Sequence, residues 1–260
     1  MYKGERKRDI LALLQSQGFT STQVLAKQLS VSQATIYRYL SELERDGLIR
    51  KEYGGVTLQK PALDGIDFDY QSRRLEHPVE KQAIAARAAA LVKSGDTLII
   101  DSSTTCLAFA QQLARAGLRD ITIVTNSARI VLAMRHKPEY RLICTGGTYL
   151  GRHDTLVGSP AEEFVANVTA NKCFVSAQGV TPQACTDADP ADVRVKRLML
   201  SRATTKVLLA DGSKFGRSTT FTVTAPAELD VLVTDAGTSA EVLAPFRELG
   251  LTVLSADNAQ

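Results

Sequence analysis

The chain has 260 residues, enough for one domain of ordinary size and a small companion, and its 44% apolar and 23% charged content is that of a chain that buries a core. The longest alanine-rich apolar stretch, residues 83 to 92, carries Arg87 and falls well short of the ~20 residues a membrane span needs. The net charge of +3 is uneven: residues 1 to 60 hold ten Lys or Arg against six Asp or Glu, and residues 61 to 260 hold 21 against 22, so the basic excess lies in the first quarter and suits a polyanion-binding head.

The opening residues, Met1 to Arg8, are charged where a secretory signal needs an apolar run, which predicts a cytoplasmic protein. Ile10, Leu11, Leu13 and Leu14 give a first helix an apolar face, with Lys7 and Arg8 at its start and Gly18 past its end. Thr20-Ser21-Thr22-Gln23 has capping-box spacing and opens a second helix carrying Leu25 and Leu29. After the short break at Leu29-Ser30-Val31, Ser32 is suited to cap a third helix with Ile36, Leu40 and Leu43 inward. Two helices joined by so short a turn have helix-turn-helix spacing. At 100° per residue, Ala34, Arg38, Ser41 and Arg45 face outward, flanked by Gln33, Thr35 and Tyr37. That face offers a guanidinium for guanine, hydroxyls for phosphate or base edges, and small residues for close approach. Residues 48 to 53 and 56 to 58 flank Gly54-Gly55 and read as a hairpin with a two-residue turn, a wing bringing Arg50 and Lys51 near phosphate. This head covers residues 1–58; Pro61, Asp64, Asp67 and Asp69 mark a linker over 59–76, and the body runs from 77 to 260.

In the body, short apolar runs at 97–100, 121–124, 141–144, 173–175, 207–210 and 231–234 alternate with helical patterns, which predicts an α/β domain with a mostly parallel sheet covered on both faces. Polar residues follow the runs, where open α/β sheets hold ligands: Asp101-Ser102-Ser103-Thr104-Thr105, Asn126-Ser127, Gly146-Gly147, Gln178-Gly179, and Asp211 with Lys214. The hydroxyl-rich turn at 102 to 105 opens a helix and is suited to a phosphate, with Lys214 as counter-charge and Lys196 or Arg152 as further cations. Cys106, Cys144, Cys173 and Cys185 contain no Cys-x-x-Cys pair and are expected to be buried, and His77, His136 and His153 lack metal-ligand spacing, so neither metal nor cofactor is expected.

With these parts in order, the chain resembles the DeoR family of bacterial sugar-metabolism regulators over nearly its whole length. The resemblance rests on residues 31 to 40 (Val-Ser-Gln-Ala-Thr-Ile-Tyr-Arg-Tyr-Leu), Leu43-Glu44, Tyr53-Gly54-Gly55, Ile100 to Thr105, Val124 to Ser127, Thr145-Gly146-Gly147, Val195-Lys196-Arg197 and Leu209 to Gly216. The chain departs from the family pattern at Tyr37-Arg38-Tyr39, where Arg-Arg-Asp is usual, and at Ser103 and Cys185, where glycine is frequent. The resemblance implies a winged helix-turn-helix head and an α/β effector domain similar in fold to ribose-5-phosphate isomerase and glucosamine-6-phosphate deaminase. It further implies double-stranded operator DNA and a phosphorylated sugar as partners, with repression that the sugar relieves. A single helix-turn-helix reads few base pairs, so a dimer or tetramer is expected. The rival readings are a sugar-phosphate isomerase-like enzyme using Asp101, Asp187 or Asp211 as base, and a protein-interaction module.

Overall fold

A computed structural model describes residues 6–7, 9–11, 13–14, 18–58 and 68–256. It divides into two compact units, Met1–Pro78 and Val79–Gln260.

In the first unit, the described residues between 6 and 14 are helical (α1); then come β1 (Thr20–Ser21), α2 (Thr22–Gln28), α3 (Gln33–Arg45), β2 (Ile49–Glu52), β3 (Gly55–Leu58) and α4 (Phe68–Leu75). Ile10, Leu14, Leu25, Ile36, Leu40, Leu43, Ile49 and Val56 form its buried core. Lys7 pairs with Glu42 at 2.7 Å, tying α1 to α3; Arg8 lies outside the described residues. Ser32 caps α3 as its position predicts, accepting the Thr35 amide at 3.2 Å. The cap of α2 is displaced by one residue from the expected box: Ser21 accepts the Val24 amide, while Thr20 pairs with Val56 in a small antiparallel sheet ordered β1-β3-β2.

The hairpin turn is displaced as well. Glu52 pairs with Gly55, so the two turn residues are Tyr53 and Gly54, not Gly54 and Gly55. Gly54 takes φ +84°, which an L side chain resists, and Gly55 lies so close to Thr20 that a Cβ would stand 2.6 Å from its carbonyl oxygen. The two glycines therefore do different work. Within the expected linker, α4 is a formed helix whose Leu75 packs against the first unit's core, and residues 59–67 lie outside the described residues.

The second unit, entered through α5 (Pro78–Ala89), continues β4 (Thr97–Ile100), α6 (Thr104–Leu113), β5 (Ile121–Thr125), α7 (Ala128–Met134), β6 (Tyr140–Cys144), β7 (Thr148–Leu150), β8 (Thr155–Val157), α8 (Ser159–Ala166) and β9 (Ala170–Val175). Then follow β10 (Gly179–Val180), β11 (Cys185–Asp187), α9 (Pro190–Ser201), β12 (Ala203–Leu209), β13 (Phe221–Thr224), β14 (Val231–Asp235), α10 (Ala240–Glu248) and β15 (Thr252–Ala256). Seven strands form one parallel sheet ordered β15-β14-β12-β9-β4-β5-β6, and every one of the six apolar runs supplies a strand. Continuous apolar strands such as Leu98, Ile99 and Ile100, all fully buried, are what a sheet covered on both faces requires. The chain builds outward from β4 in one direction through β5 and β6, and from β9 in the other through β12, β14 and β15. The crevice beyond the carboxyl ends of β4 and β9 is thus the topological switch point, where open α/β sheets bind ligands. Cys106, Cys173 and Cys185 are buried as expected, burial pushing the Cys185 thiol up to about 12; Cys144, against expectation, is exposed at the end of the edge strand β6.

Candidate functional site

In the first unit, α3 presents Gln33, Ala34, Tyr37, Arg38 and Ser41 to solvent, as the helical spacing predicts. Thr35 is half-buried, and its hydroxyl bonds the Ser32 cap at 2.9 Å. Arg38 lies with its guanidinium carbon 5.4 Å from the centre of the Tyr39 ring, while Tyr39 itself turns into the core. The wing cations carry carboxylate partners. Lys51 is 2.6 Å from Glu44 and donates to Ser41 at 3.1 Å, linking β2 to α3; Arg50 pairs with Glu52 at 2.7 Å. Tyr53, at the wing tip, is fully exposed.

In the second unit, the strand-end residues Asp101, Asn126, Gly146, Gln178 and Asp211 all follow strands of the parallel sheet, so parallel pairing alone gathers them at one edge. Asp101 shapes the turn at the switch point: one carboxylate oxygen accepts the Ser103 amide and the other the Ser176 amide, both at 2.9 Å. Ser103 caps α6 by accepting the Cys106 amide at 3.1 Å, which uses a lone pair of its oxygen and leaves its O–H to donate. Ser127 caps α7 likewise, by way of the Ile130 amide. The hydroxyls of Ser102, Thr104 and Thr105 have no hydrogen-bond partner among the described residues, and the first amides of α6 point outward as donors at the positive end of the helix. Gly146 and Gly147 have φ +72° and +111°, and a Cβ on Gly147 would stand 2.5 Å from the Val157 carbonyl oxygen. Gly179 is closed in by Arg217 and Thr186 at 2.6 and 2.7 Å from an added Cβ, so its smallness serves the β10–β11 packing.

Two atoms at this edge are buried without partners: Asn126 Oδ1 and Asp211 Oδ2, both on residues with no exposed surface. A buried polar atom left so costs about 1–3 kcal/mol unless a bound group satisfies it. Lys214, half-buried three residues after Asp211, has no carboxylate partner among the described residues. Lys196 is the opposite case. The residue is 3% exposed, and its ammonium contacts Asp187, stands 3.3 Å from Asp192 and 3.4 Å from Asp101, and donates to the Ser176 carbonyl at 3.1 Å. Burial opposes its charge, but the three carboxylates outweigh that and hold it well above the ordinary lysine value. Burial pushes Asp187 upward, with Asp192 and Asp101 adding like charge against the pull of Lys196. Asp192 did not figure among the candidates read from sequence; its spacing of four from Lys196 on α9 was the available signal. Arg152 is exposed. A groove of about 420 Å³ lined by Arg197, Ser201, Lys206, Thr222 and Glu228 belongs to the end of α9, β12 and β13, and contains none of the strand-end loops.

Comparison with known proteins matches residues 6–62 to the DeoR-like helix-turn-helix domain and residues 76–236 to the DeoR C terminal sensor domain. The HTH-type transcriptional regulator GolR of Listeria innocua is 33% identical over 99% of this chain and 100% of its own length. The glycerol-3-phosphate regulon repressor of Escherichia coli is 29% identical over 91% of this chain and 92% of its own, and IolR of Bacillus subtilis 33% over 84% and 86%. Among solved structures, ribose 5 phosphate isomerase A from Neisseria gonorrhoeae aligns at TM-score 0.37 with 19% identity over 53% of each chain, a likeness too loose to bear on function.

Proposed function

The chain belongs to the DeoR family of transcriptional regulators, and from that premise we propose that it represses genes of carbohydrate breakdown until a phosphorylated sugar binds its second unit. Double-stranded operator DNA is the partner of the first unit, with Arg38 on α3 reading a base edge and Gln33, Ala34, Tyr37 and Ser41 lining the same face. Arg50 and Lys51 meet phosphate from the wing. A dimer or tetramer places two such heads on repeated half-sites in the cytoplasm.

The observation that carries the effector site is the pair of buried unpartnered oxygens, Asn126 Oδ1 and Asp211 Oδ2, at the edge that also holds the open amides of α6 and the uncommitted Lys214. Asp211 and Asp101 follow strands two spacings apart, about 10 Å. Phosphate takes the α6 amides, the Ser102, Thr104 and Thr105 hydroxyls and Lys214; sugar hydroxyls donate to Asn126 and Asp211. The double change Thr104→Val and Thr105→Val, or Lys214→Ala alone, is expected to abolish release from operator DNA by the sugar phosphate while leaving DNA binding intact. A wild-type response in both variants, measured by fluorescence anisotropy of labelled operator, overturns this site.

The ligand is bound without turnover. Both oxygens of Asp101 and of Asp187 are already engaged, by amides and by Lys196, so neither is free to abstract a carbon-bound proton. Proton exchange at the sugar carbons, followed by NMR with the ligand that binds, is expected to match buffer; exchange lost on Asp211→Asn establishes an isomerase instead.

A further inference from the structure

We propose that Lys196 is a positioning residue for effector binding, whose ammonium fixes three separate strand-end segments into one receptive edge. The inference rests on the effector site described above and concerns what assembles it.

Lys196 projects from α9, which contributes no ligand-facing loop of its own, yet each of its contacts leads to a segment that does. Toward β4 it meets Asp101 at 3.4 Å, whose carboxylate sets the Ser103 amide and so the turn that opens α6. Toward β9 it donates to the Ser176 carbonyl at 3.1 Å and contacts Asp187, which accepts the Gln178 amide at 3.1 Å. Asp101 also accepts the Ser176 amide, so these two segments share both ends of one polar clasp. Toward β5 the path runs through Asp192, 3.3 Å away, which accepts the Thr155 hydroxyl at 3.2 Å; that hydroxyl in turn accepts the Asn126 amide nitrogen at 2.7 Å. This last link fixes which way Asn126 faces. With its nitrogen held by Thr155 and also donating to the Leu156 carbonyl at 3.3 Å, its oxygen is the atom left for a ligand.

Lys196 is too enclosed to touch phosphate itself, and its donors are spent on the cage. Three carboxylates surround one ammonium, so the cage has no spare positive charge to offer an anion, and the counter-charge for phosphate falls to Lys214. A lysine serves here better than an apolar residue because it satisfies oxygens from β4, β9, β11 and α9 at a single point.

The test uses the full chain and inorganic phosphate as probe. Lys196→Met leaves buried carboxylates unpaired and threatens folding, so the informative variant is Lys196→Met with Asp187→Asn, which removes one cation and one anion and keeps the cage's net charge. Native-state hydrogen exchange reads the clasp directly at the Ser103 and Ser176 amides, both held by Asp101. The folded double variant is expected to lose protection at these amides, with core strand amides unchanged, and to bind phosphate at least tenfold more weakly. Retained protection, or lost protection with unaltered phosphate affinity, overturns the proposal. Absence of phosphate binding by the wild-type chain instead removes the effector site on which the proposal rests, and exchange at the two amides still decides whether Lys196 holds the loops.

Discussion

Arg38 and Lys51 are both cations of the first unit's exposed face, but their surroundings give them different work. Arg38 has a ring beneath it, and substitution by alanine is expected to cost about 1–3 kcal/mol of specific operator affinity through loss of a bidentate base contact. Gel-shift titrations against operator and unrelated duplex check this: the loss is confined to operator. In the second unit, Lys196→Met leaves three buried carboxylates without their cation, an expected loss of about 3–5 kcal/mol at neutral pH. The sign of its pH dependence follows from Asp187, whose folded value lies above the ordinary 3.8 even with Lys196 present. Without the ammonium it rises further, so the folded variant binds more protons than the unfolded chain between 3.8 and that raised value. The variant therefore regains stability as pH falls through that window, and urea unfolding at pH 7.5 and pH 5 is expected to show its deficit shrinking.

At the scale of elements, α3 and β2 are joined by Lys51 between Glu44 and Ser41, so the cation expected to meet phosphate is partly neutralised by its own helix. Glu44→Gln is expected to raise affinity for any duplex and to steepen the salt dependence by about 0.9 in log K per log salt, one more phosphate contact; an unchanged slope would assign Lys51 to bracing the wing. Gly55→Ala drives a methyl against the Thr20 carbonyl and is expected to cost about 1–3 kcal/mol, read from thermal unfolding of the first unit. The parallel strands were legible because a doubly covered strand is apolar along its length. β7, β8, β10 and β11 are not, since two or three residues carry no period, and β13 and β15 are not because Phe221-Thr222-Val223-Thr224 and Thr252-Val253-Leu254-Ser255-Ala256 alternate or interrupt their apolar residues with hydroxyls. The wing turn slipped by one residue because Gly54 answers a torsional need and Gly55 a steric one, and adjacent glycines do not say which is which. Loop hydroxyls mark the strand-end edge in sequence, but Lys196 reads there as a spare cation for phosphate and Asp192 carries no signal beyond its spacing, because their burial together with Asp101 and Asp187 arises only when α9 packs on the sheet.

For the whole molecule, a sugar phosphate that lowers operator affinity by some factor must itself be bound more weakly by that factor when operator is present. Calorimetry of the effector with and without saturating operator is expected to give the same ratio as operator titrations with and without effector; unequal ratios would mean a third species, such as a change of oligomer. At one hundred times its dissociation constant the effector is expected to add about 2.7 kcal/mol to the unfolding free energy. The switch point also bears on how the protein is made. Asp101 and the Ser176 amide it holds are 75 positions apart, and β4 cannot complete its neighbours until β9 arrives. Contacts of such long range form late, after a large loop has been closed. A chain emerging from the ribosome therefore completes its helix-turn-helix head well before the sheet of its sensor domain closes, and for an interval the one exists without the other.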